Sequence, residues 1–280
     1  MSRKLTEEQI ETFAKDGVLL VPNAVDPSWV ERMTGLIGPI LERPSRWASD
    51  TGEFTDGRGR ALDERYLWRE NAVVREFVFE SGVAALVGQA MNCECLRFYF
   101  DHWFVKEPGK MNETPWHQDA PYWPFRGRQI ASLWLALSEI ERSSSVLELV
   151  KGSHRWGKRF KPQRFVKSDE KLTWIQQAES ADGEDVPDID AHRNDYDIFC
   201  EPLQPGDGLL FSAWIVHAAT SNASTRRRAA LSTRWLGDDV RWFPHPAADP
   251  IVQQGDVHLE PGSPVVDDEH FPVAWTRDER

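Results

Sequence analysis

The sequence predicts an α+β fold in which flanking helices precede an antiparallel jelly roll. Two patterns indicate this class. Up to about residue 95 the apolar residues recur mainly at helical spacing, and from Leu96 onward they fall into short β-type runs. A length of 280 residues also suits one catalytic domain with peripheral helices, and the sequence shows no internal repeat.

The N-terminal segment predicts two helices separated by a short strand. A capping box that begins at Thr6 starts the first helix, which ends at Gly17. Residues 18–22 form the predicted strand. Pro27 is the first-turn proline of the second helix, whose apolar stripe continues to Leu41.

A third helix is expected at residues 71–90, after a loop at residues 43–59 that is rich in Gly, Ser, Asp and Arg and is predicted to be mobile. The pattern then becomes β-type. Six strands are expected, at residues 96–105, 129–137, 146–150, 207–211, 214–217 and 228–236.

These elements predict a single domain over residues 1–280. Residues 1–95 would form a mainly helical flank and residues 96–242 the jelly-roll core. A polar, acidic insertion near residues 165–199 is expected to cover one mouth of the barrel. Residues 243–280 are rich in Pro and Asp and are expected to wrap the surface as a C-terminal tail.

Composition narrows the possible partners. The formal charge of −12 argues against a nucleic-acid or anionic-membrane surface, which would need clustered Lys and Arg. No stretch approaches the roughly 20 apolar residues of a membrane span. Three cysteines, two of them in a Cys-x-Cys pair, do not suggest a disulfide framework. We expect a cytoplasmic protein that binds a small molecule, and the oligomeric state stays open.

A candidate metal site stands out in the second half of the chain. His117 and Asp119 lie two residues apart, so both would point to the same face of an extended strand, and His217 follows much later. Two imidazoles and one carboxylate leave open positions on an octahedral ion, as in Fe(II) oxygenases. Zinc enzymes use similar ligand sets, so the triad alone leaves the metal open.

The presence of Arg228 favours iron over zinc as the metal of this site. Arg228 lies eleven residues beyond His217, far enough for a turn and a returning strand to place it beside the metal. A 2-oxoglutarate enzyme needs such a cation, and the planar guanidinium gives bidentate bonds to a carboxylate. Ser232 lies on the same strand face and can add a hydroxyl donor. Spacing alone does not exclude Arg226 or Arg227 as the anchor.

With these motifs, the chain resembles the phytanoyl-CoA dioxygenase family of Fe(II)/2-oxoglutarate oxygenases over most of its length. The stretches that carry the resemblance are residues 104–109 (FVKEPG), 114–119 (TPWHQD) with 122–123 (YW), 152–154 (GSH), and 206–207 (GD) leading to His217, Asn222 and 228–232 (RAALS).

The resemblance implies a double-stranded β-helix, which is a cupin-like jelly roll. It implies that His117, Asp119 and His217 bind Fe(II), that Arg228 holds the 5-carboxylate of 2-oxoglutarate, and that O2 is the oxidant. By the same resemblance, Lys106 and Trp134 line the co-substrate pocket. Halogenating relatives have a small residue in place of Asp119, so the carboxylate here favours hydroxylation or a related oxidation with release of succinate and CO2.

Substrate contacts are less well defined by the sequence. Tyr122 and Trp123 directly follow the metal motif and are candidate substrate neighbours, and Arg126 is a candidate partner for an anionic substrate group. Core packing and simple solvation are the alternative roles of these residues. Two other functions stay open at this level, namely a non-catalytic cupin-like metal-binding protein and a zinc hydrolase, neither of which needs Arg228.

Overall fold

Two antiparallel sheets form the centre of the molecule. In this computed structural model, residues 3–50, 60–109, 113–162 and 183–277 are described. They include five α-helices, α1 (Glu7–Asp16), α2 (Pro27–Gly35), α3 (Ile37–Glu42), α4 (Ala72–Glu80) and α5 (Val83–Met91). The strands are β1 (Val18–Val21), β2 (Ser49–Asp50), β3 (Ala61–Arg65), β4 (Cys95–Lys106), β5 (Thr114–His117), β6 (Phe125–Arg126), β7 (Ile130–Ala136), β8 (Leu147–Val150), β9 (Ile198–Phe199), β10 (Gly208–Ser212), β11 (His217–Ala219), β12 (Arg228–Leu236), β13 (Arg241–Trp242) and β14 (Val273–Thr276).

The larger sheet has the order β1-β10-β7-β12-β4-β3-β2, and β14 also pairs with β4. The smaller sheet has the order β5-β11-β8-β9. Four strands of the larger sheet, β10-β7-β12-β4, and the four of the smaller one form the predicted cupin-like jelly roll. A separate ribbon joins β6 to β13.

Strand β12 shows how the two faces of the larger sheet differ. Ala230 belongs to an apolar cluster between the sheets, with Leu149 of β8 and Phe211 of β10. Leu231 and Trp235 instead join the cluster that the sheet shares with the helices. Successive side chains of a strand point to opposite faces, so Arg228, Ala230, Ser232 and Arg234 face the interior of the barrel.

The first helix and strand are confirmed. Thr6 and Gln9 form the predicted capping box at the start of α1. Gly17 ends the helix with a φ of 74°, and its N–H donates to the Phe13 carbonyl over 2.8 Å. The chain then enters β1, which pairs with β10 at the edge of the larger sheet.

The second and third predicted helices are each divided in two. Leu36 separates α2 from α3, because Pro39 has no N–H to donate to the carbonyl of Gly35 and its ring would clash there. Gly82 separates α4 from α5, with a φ of 86° that takes the chain out of the helical region.

Most predicted strands are confirmed to within one or two residues, and β12 has the predicted bounds. The strand expected at residues 214–217 is wrong in its position. The N–H of Ile215 bonds to the Ser212 carbonyl over 3.0 Å in a turn, and the strand begins only at His217. Strands β3 and β14 were not predicted, so both the helical flank and the tail contribute to the larger sheet.

Two predictions fall largely outside the described residues. Of the predicted loop at 43–59, residues 51–59 are not described, and the preceding residues include β2. Of the insertion at 165–199, residues 165–182 are not described, while its last residues form β9 at the edge of the smaller sheet. Among the described residues, no helix has the length and hydrophobicity of a membrane span.

Candidate metal centre

His117, Asp119 and His217 come together in the interior of the barrel. Asp119 Oδ1 lies 3.6 Å from His117 Nε2 and 3.8 Å from His217 Nε2. One ligand atom from each residue lies within 4.8 Å of the others, and all three residues are buried. This separation fits one ion at the centre of the group, with the His-Asp-His set that suits iron.

Both imidazoles point their Nε2 atom toward the centre of the triad. His117 Nδ1 lies 2.8 Å from the Pro115 carbonyl, and His217 Nδ1 lies 3.1 Å from the Ile215 carbonyl. A carbonyl only accepts, so each Nδ1 carries the proton and each Nε2 keeps its lone pair for a metal. The two backbone contacts also fix the ring orientations.

The strands align the two histidines directly. His217 at the start of β11 is the Cα partner of His117 at the end of β5. Asp119 is placed differently from the prediction. The strand has already ended, and Asp119 adopts φ −73° and ψ −42° at the start of the short 3-10 helix Ala120–Tyr122. The helical turn, rather than alternation along a strand, brings the carboxylate to the histidines.

The electrostatics of the triad suit metal binding. Burial, assisted by the nearby His117, lowers the pKa of His217 to about 3, so His217 is neutral at ordinary pH. Burial opposes the ionisation of Asp119, but Arg234 and the two histidines outweigh it and hold the pKa of Asp119 well below its usual range. Neutral imidazoles and an ionised carboxylate are the forms that bind a divalent cation.

Arg228 lies at the start of β12, with a buried guanidinium that is held on one side only. Its Nε and Nη2 donate to the Ser145 carbonyl over 3.2 and 3.0 Å. Its Nη1 is buried without a hydrogen-bond partner among the residues that the structure describes. Burial lowers the pKa of Arg228 to about 10, which still leaves the group charged at neutral pH.

The other predicted co-substrate residues surround Arg228. Lys106 is its Cα partner on β4, and Lys106 Nζ donates to Ser145 Oγ over 2.9 Å. The Trp134 ring centroid lies 5.1 Å from the Arg228 guanidinium carbon. Ser232 faces the same interior, and within the described part of the chain its buried hydroxyl has no partner. Arg226 and Arg227, by contrast, are exposed and form ion pairs with glutamates.

The three predicted substrate residues lie in different surroundings. Tyr122 is buried and packs edge-on against the His117 ring, with 5.9 Å between centroids. Trp123 is buried beside Phe100, and its carbonyl lies 3.0 Å from His245 Nε2. Arg126 is exposed in the β6–β13 ribbon and stacks on Phe243, so the structure does not bring it to the triad.

Several supporting residues were missed by the sequence analysis. Arg234 Nη1 forms a 3.0 Å ion pair with Asp119 Oδ2, and Ser132 Oγ lies 3.5 Å from the same oxygen. The signal for Arg234 was its spacing, because it lies six residues after Arg228 on the same strand face. Ser145, which contacts both Arg228 and Lys106, has a φ of 64° that no sequence pattern indicated.

Two polar residues hold the chain beside the ligands. Ser153 Oγ accepts from the Val216 N–H over 2.8 Å and donates to the Val150 carbonyl over 2.7 Å, which fixes the residue before His217. Gln118 donates to the Trp214 carbonyl over 2.9 Å and accepts from the Phe160 N–H over 3.0 Å. The two metal-binding segments are therefore linked independently of any metal.

Comparisons with known proteins agree with this site. The family model described as phytanoyl-CoA dioxygenase (PhyH) matches residues 13–230. A probable phytanoyl-CoA dioxygenase of Caenorhabditis elegans is 23% identical over 252 residues, covering 84% of this chain and 77% of the relative.

Solved structures show the same fold at low identity. The epimerase SnoN, in complex with Fe3+, alpha ketoglutarate and nogalamycin RO, gives a TM-score of 0.72 at 20% identity, covering 96% of this chain and 98% of that one. EctD from S. alaskensis, with 2-oxoglutarate and 5-hydroxyectoine, gives 0.67 at 17% identity, covering 93% and 85%. Because the family model spans most of the sequence, including the complete triad, this chain belongs to the phytanoyl-CoA dioxygenase family.

Proposed function

We propose that the chain is an Fe(II)- and 2-oxoglutarate-dependent dioxygenase that oxidises a C–H bond of a small organic substrate. In the hydroxylation reaction, one oxygen atom of O2 enters the substrate and the other enters succinate, with release of CO2. The observation that carries the proposal is a buried His-Asp-His triad inside the same barrel as a buried arginine whose Nη1 has no hydrogen-bond partner among the described residues. A metal-binding protein without turnover and a zinc hydrolase would need no such arginine.

The residues around Arg228 fit a dicarboxylic co-substrate. An unpartnered buried donor costs free energy, on the order of 1–3 kcal/mol, so a ligand that accepts from it is favoured. Arg228 Nη1 and Ser232 Oγ both lack partners among the described residues and both lie on the inner face of β12. Lys106 adds a second cation at this point. The 5-carboxylate of 2-oxoglutarate would satisfy these groups.

Each part of the site then has a separate task. His117, Asp119 and His217 would hold the iron, and Arg228 with Ser232 would hold the far carboxylate and orient the 2-oxo acid toward the metal. Tyr122 and Trp123 would exclude water and border the substrate. Bound iron and 2-oxoglutarate supply the oxidising chemistry, while the protein supplies position and a dry cavity.

The cysteines support a reducing, cytoplasmic location. Cys93, Cys95 and Cys200 are all free thiols, and two of them are buried. Disulfides are rare in the reduced cytosol, whereas secreted proteins commonly form them. We propose this location on that ground.

An anaerobic titration with Fe(II) and 2-oxoglutarate tests the function. We expect the wild-type protein to develop the weak visible metal-to-ligand charge-transfer band, and His217→Ala to lose it. Arg228→Ala should need at least about tenfold more 2-oxoglutarate, because a charge-assisted hydrogen bond contributes about 1.5–3 kcal/mol and 1.4 kcal/mol is tenfold in affinity.

Arg32→Ala is the matched control, since Arg32 is an exposed arginine paired with Glu76 on the helical flank. It should titrate like the wild type. Folded, metal-loaded wild-type protein that shows no band at saturating 2-oxoglutarate would contradict the proposal and favour the metal-binding or zinc alternatives. Where the band is observed, succinate release with a panel of small substrates would identify the oxidised compound.

A further inference from the structure

The two oxygens of Asp119 have different surroundings. Oδ1 faces His117 Nε2 and His217 Nε2 at 3.6 and 3.8 Å, so it is the oxygen that points to the metal position. Oδ2 is already engaged on the other side, by Arg234 Nη1 at 3.0 Å and by Ser132 Oγ at 3.5 Å. The same Arg234 nitrogen also donates to Ser132 Oγ, which closes a three-residue cluster.

This cluster is part of the rigid sheet. Arg234 on β12 and Ser132 on β7 are Cα partners, and both are buried. The Arg234 guanidinium carbon lies 5.4 Å from the Trp123 ring centroid and 6.0 Å from that of Phe100. Strand β12 pairs on both sides, with β4 and β7, so neither partner of Oδ2 is on a mobile segment.

A carboxylate can bind a cation through one oxygen or through both. Two-oxygen binding would occupy one more coordination position. The proposed reaction needs three positions beside the triad, two for the 2-oxo acid and one for O2. If the Asp119 carboxylate could rotate freely, its second oxygen would compete with the co-substrate or with O2 for a coordination position.

We propose that Arg234, assisted by Ser132, is a positioning residue that restricts Asp119 to one-oxygen metal binding and so keeps a coordination position open. The inference rests on the proposed function, because it assumes that the triad binds a metal. Arg234 acts through Asp119, and its contribution is separate from that of Arg228, which lies six residues earlier on the same face of β12.

Counting metal-bound water tests this role without turnover. The protein is loaded with Mn(II), and the broadening of its electron paramagnetic resonance signal in ¹⁷O-enriched water reports the number of coordinated waters. We expect Arg234→Met to have one coordinated water fewer than the wild type, because the released Oδ2 takes that position. Arg234→Lys should restore the lost water, since an ammonium near Oδ2 can again hold it.

Two further variants keep the test decisive. Should Arg234→Met fail to fold, Arg234→Gln takes its place, because its amide keeps the site polar but ends two bonds short of the guanidinium. Arg234→Gln is also expected to lose one water, and Arg32→Ala to lose none. An unchanged water count in folded, Mn(II)-loaded Arg234→Met or Arg234→Gln would overturn the inference, whereas failure of the wild type to bind Mn(II) would overturn the proposed function itself.

Discussion

At the scale of single residues, the Ser232 hydroxyl is placed to bind a ligand and does not stabilise the fold. The hydroxyl is buried on the central strand β12 and has no hydrogen-bond partner in the described residues. Such a group is unfavourable in the free protein and becomes favourable when a ligand accepts a hydrogen bond from it. Arg228 Nη1 is likewise buried without a hydrogen-bond partner in the described part of the chain. The inner face of β12 therefore carries polar groups that are placed for binding rather than for folding.

We expect Ser232→Ala to leave the free energy of unfolding unchanged or slightly higher, while weakening 2-oxoglutarate binding about 5- to 30-fold, as loss of a hydrogen bond of about 1–2 kcal/mol implies. Urea unfolding of the metal-free protein and the charge-transfer titration measure the two effects. A variant that is clearly less stable and binds 2-oxoglutarate normally would show that the hydroxyl is structural.

Single residues also show what the sequence can reveal. The triad could be predicted because His-x-Asp, a distant His and an Arg at a fixed distance form an ordered set of uncommon residues. Arg234 carried a usable signal in its strand spacing, but its partner Asp119 could be found only once the turn at Ala120–Tyr122 was known. Ser145 owes its role to a positive φ that is rare outside glycine.

At the scale of elements, the turn before β12 determines where Arg228 enters the barrel. Asn222 is buried there, and its Nδ2 donates to the carbonyls of Lys106, Glu107 and Arg226. These contacts join the end of β4 to the segment that leads into β12. Because Lys106 and Arg228 are Cα partners, one amide group supports the backbone beside both cations.

We therefore expect Asn222→Ala to destabilise the protein by about 2–4 kcal/mol, since buried carbonyls lose their donor, and to raise the 2-oxoglutarate requirement. Thermal unfolding and the charge-transfer titration check the two effects. Ser224→Ala is a comparison from the same turn, because it removes a bond to Asn222 Oδ1 but leaves the Nδ2 contacts in place. Equal effects of the two substitutions would argue against the role of Nδ2.

Elements differ in how far they could be predicted. Strand β12 has nine residues of strong β-type pattern and was predicted with its bounds. Strand β3 could not be recognised, because three of its five residues are charged and its pairing with β4 stabilises it. The two long helices were predicted from apolar periodicity, which continues across Leu36 and Gly82 although the backbone does not.

At the scale of the whole molecule, charge is distributed unevenly. The chain has a formal charge of −12, yet Lys106, Arg228 and Arg234 all face the interior of the barrel. This interior favours a dianionic ligand, while Asp119 and the neutral imidazoles favour a cation beside it. Two ligands of opposite charge thus complete the interior of the barrel, and both should stabilise the folded state.

We expect a saturating divalent metal to raise the melting temperature by about 5–10 °C, because a ligand at a hundred times its Kd contributes about 2.7 kcal/mol and 1 kcal/mol shifts a domain of this size by about 2–4 °C. Anaerobic scanning calorimetry with Fe(II), or with Mn(II) in air, measures the shift. His217→Ala should show almost none of it, and a full shift in that variant would place the metal elsewhere.

The edge of β4 has a consequence for biosynthesis. β3 covers one half of this edge, and β14 covers the other by pairing with residues 95–97. The opposite edge is covered by β12. A ribosome makes β4 and β3 early, but β12 and β14 emerge more than a hundred residues later. During translation, the backbone groups of β4 that pair with β12 and β14 in the folded protein lack those strand partners until the later segments have been made, and unpaired strand edges favour aggregation.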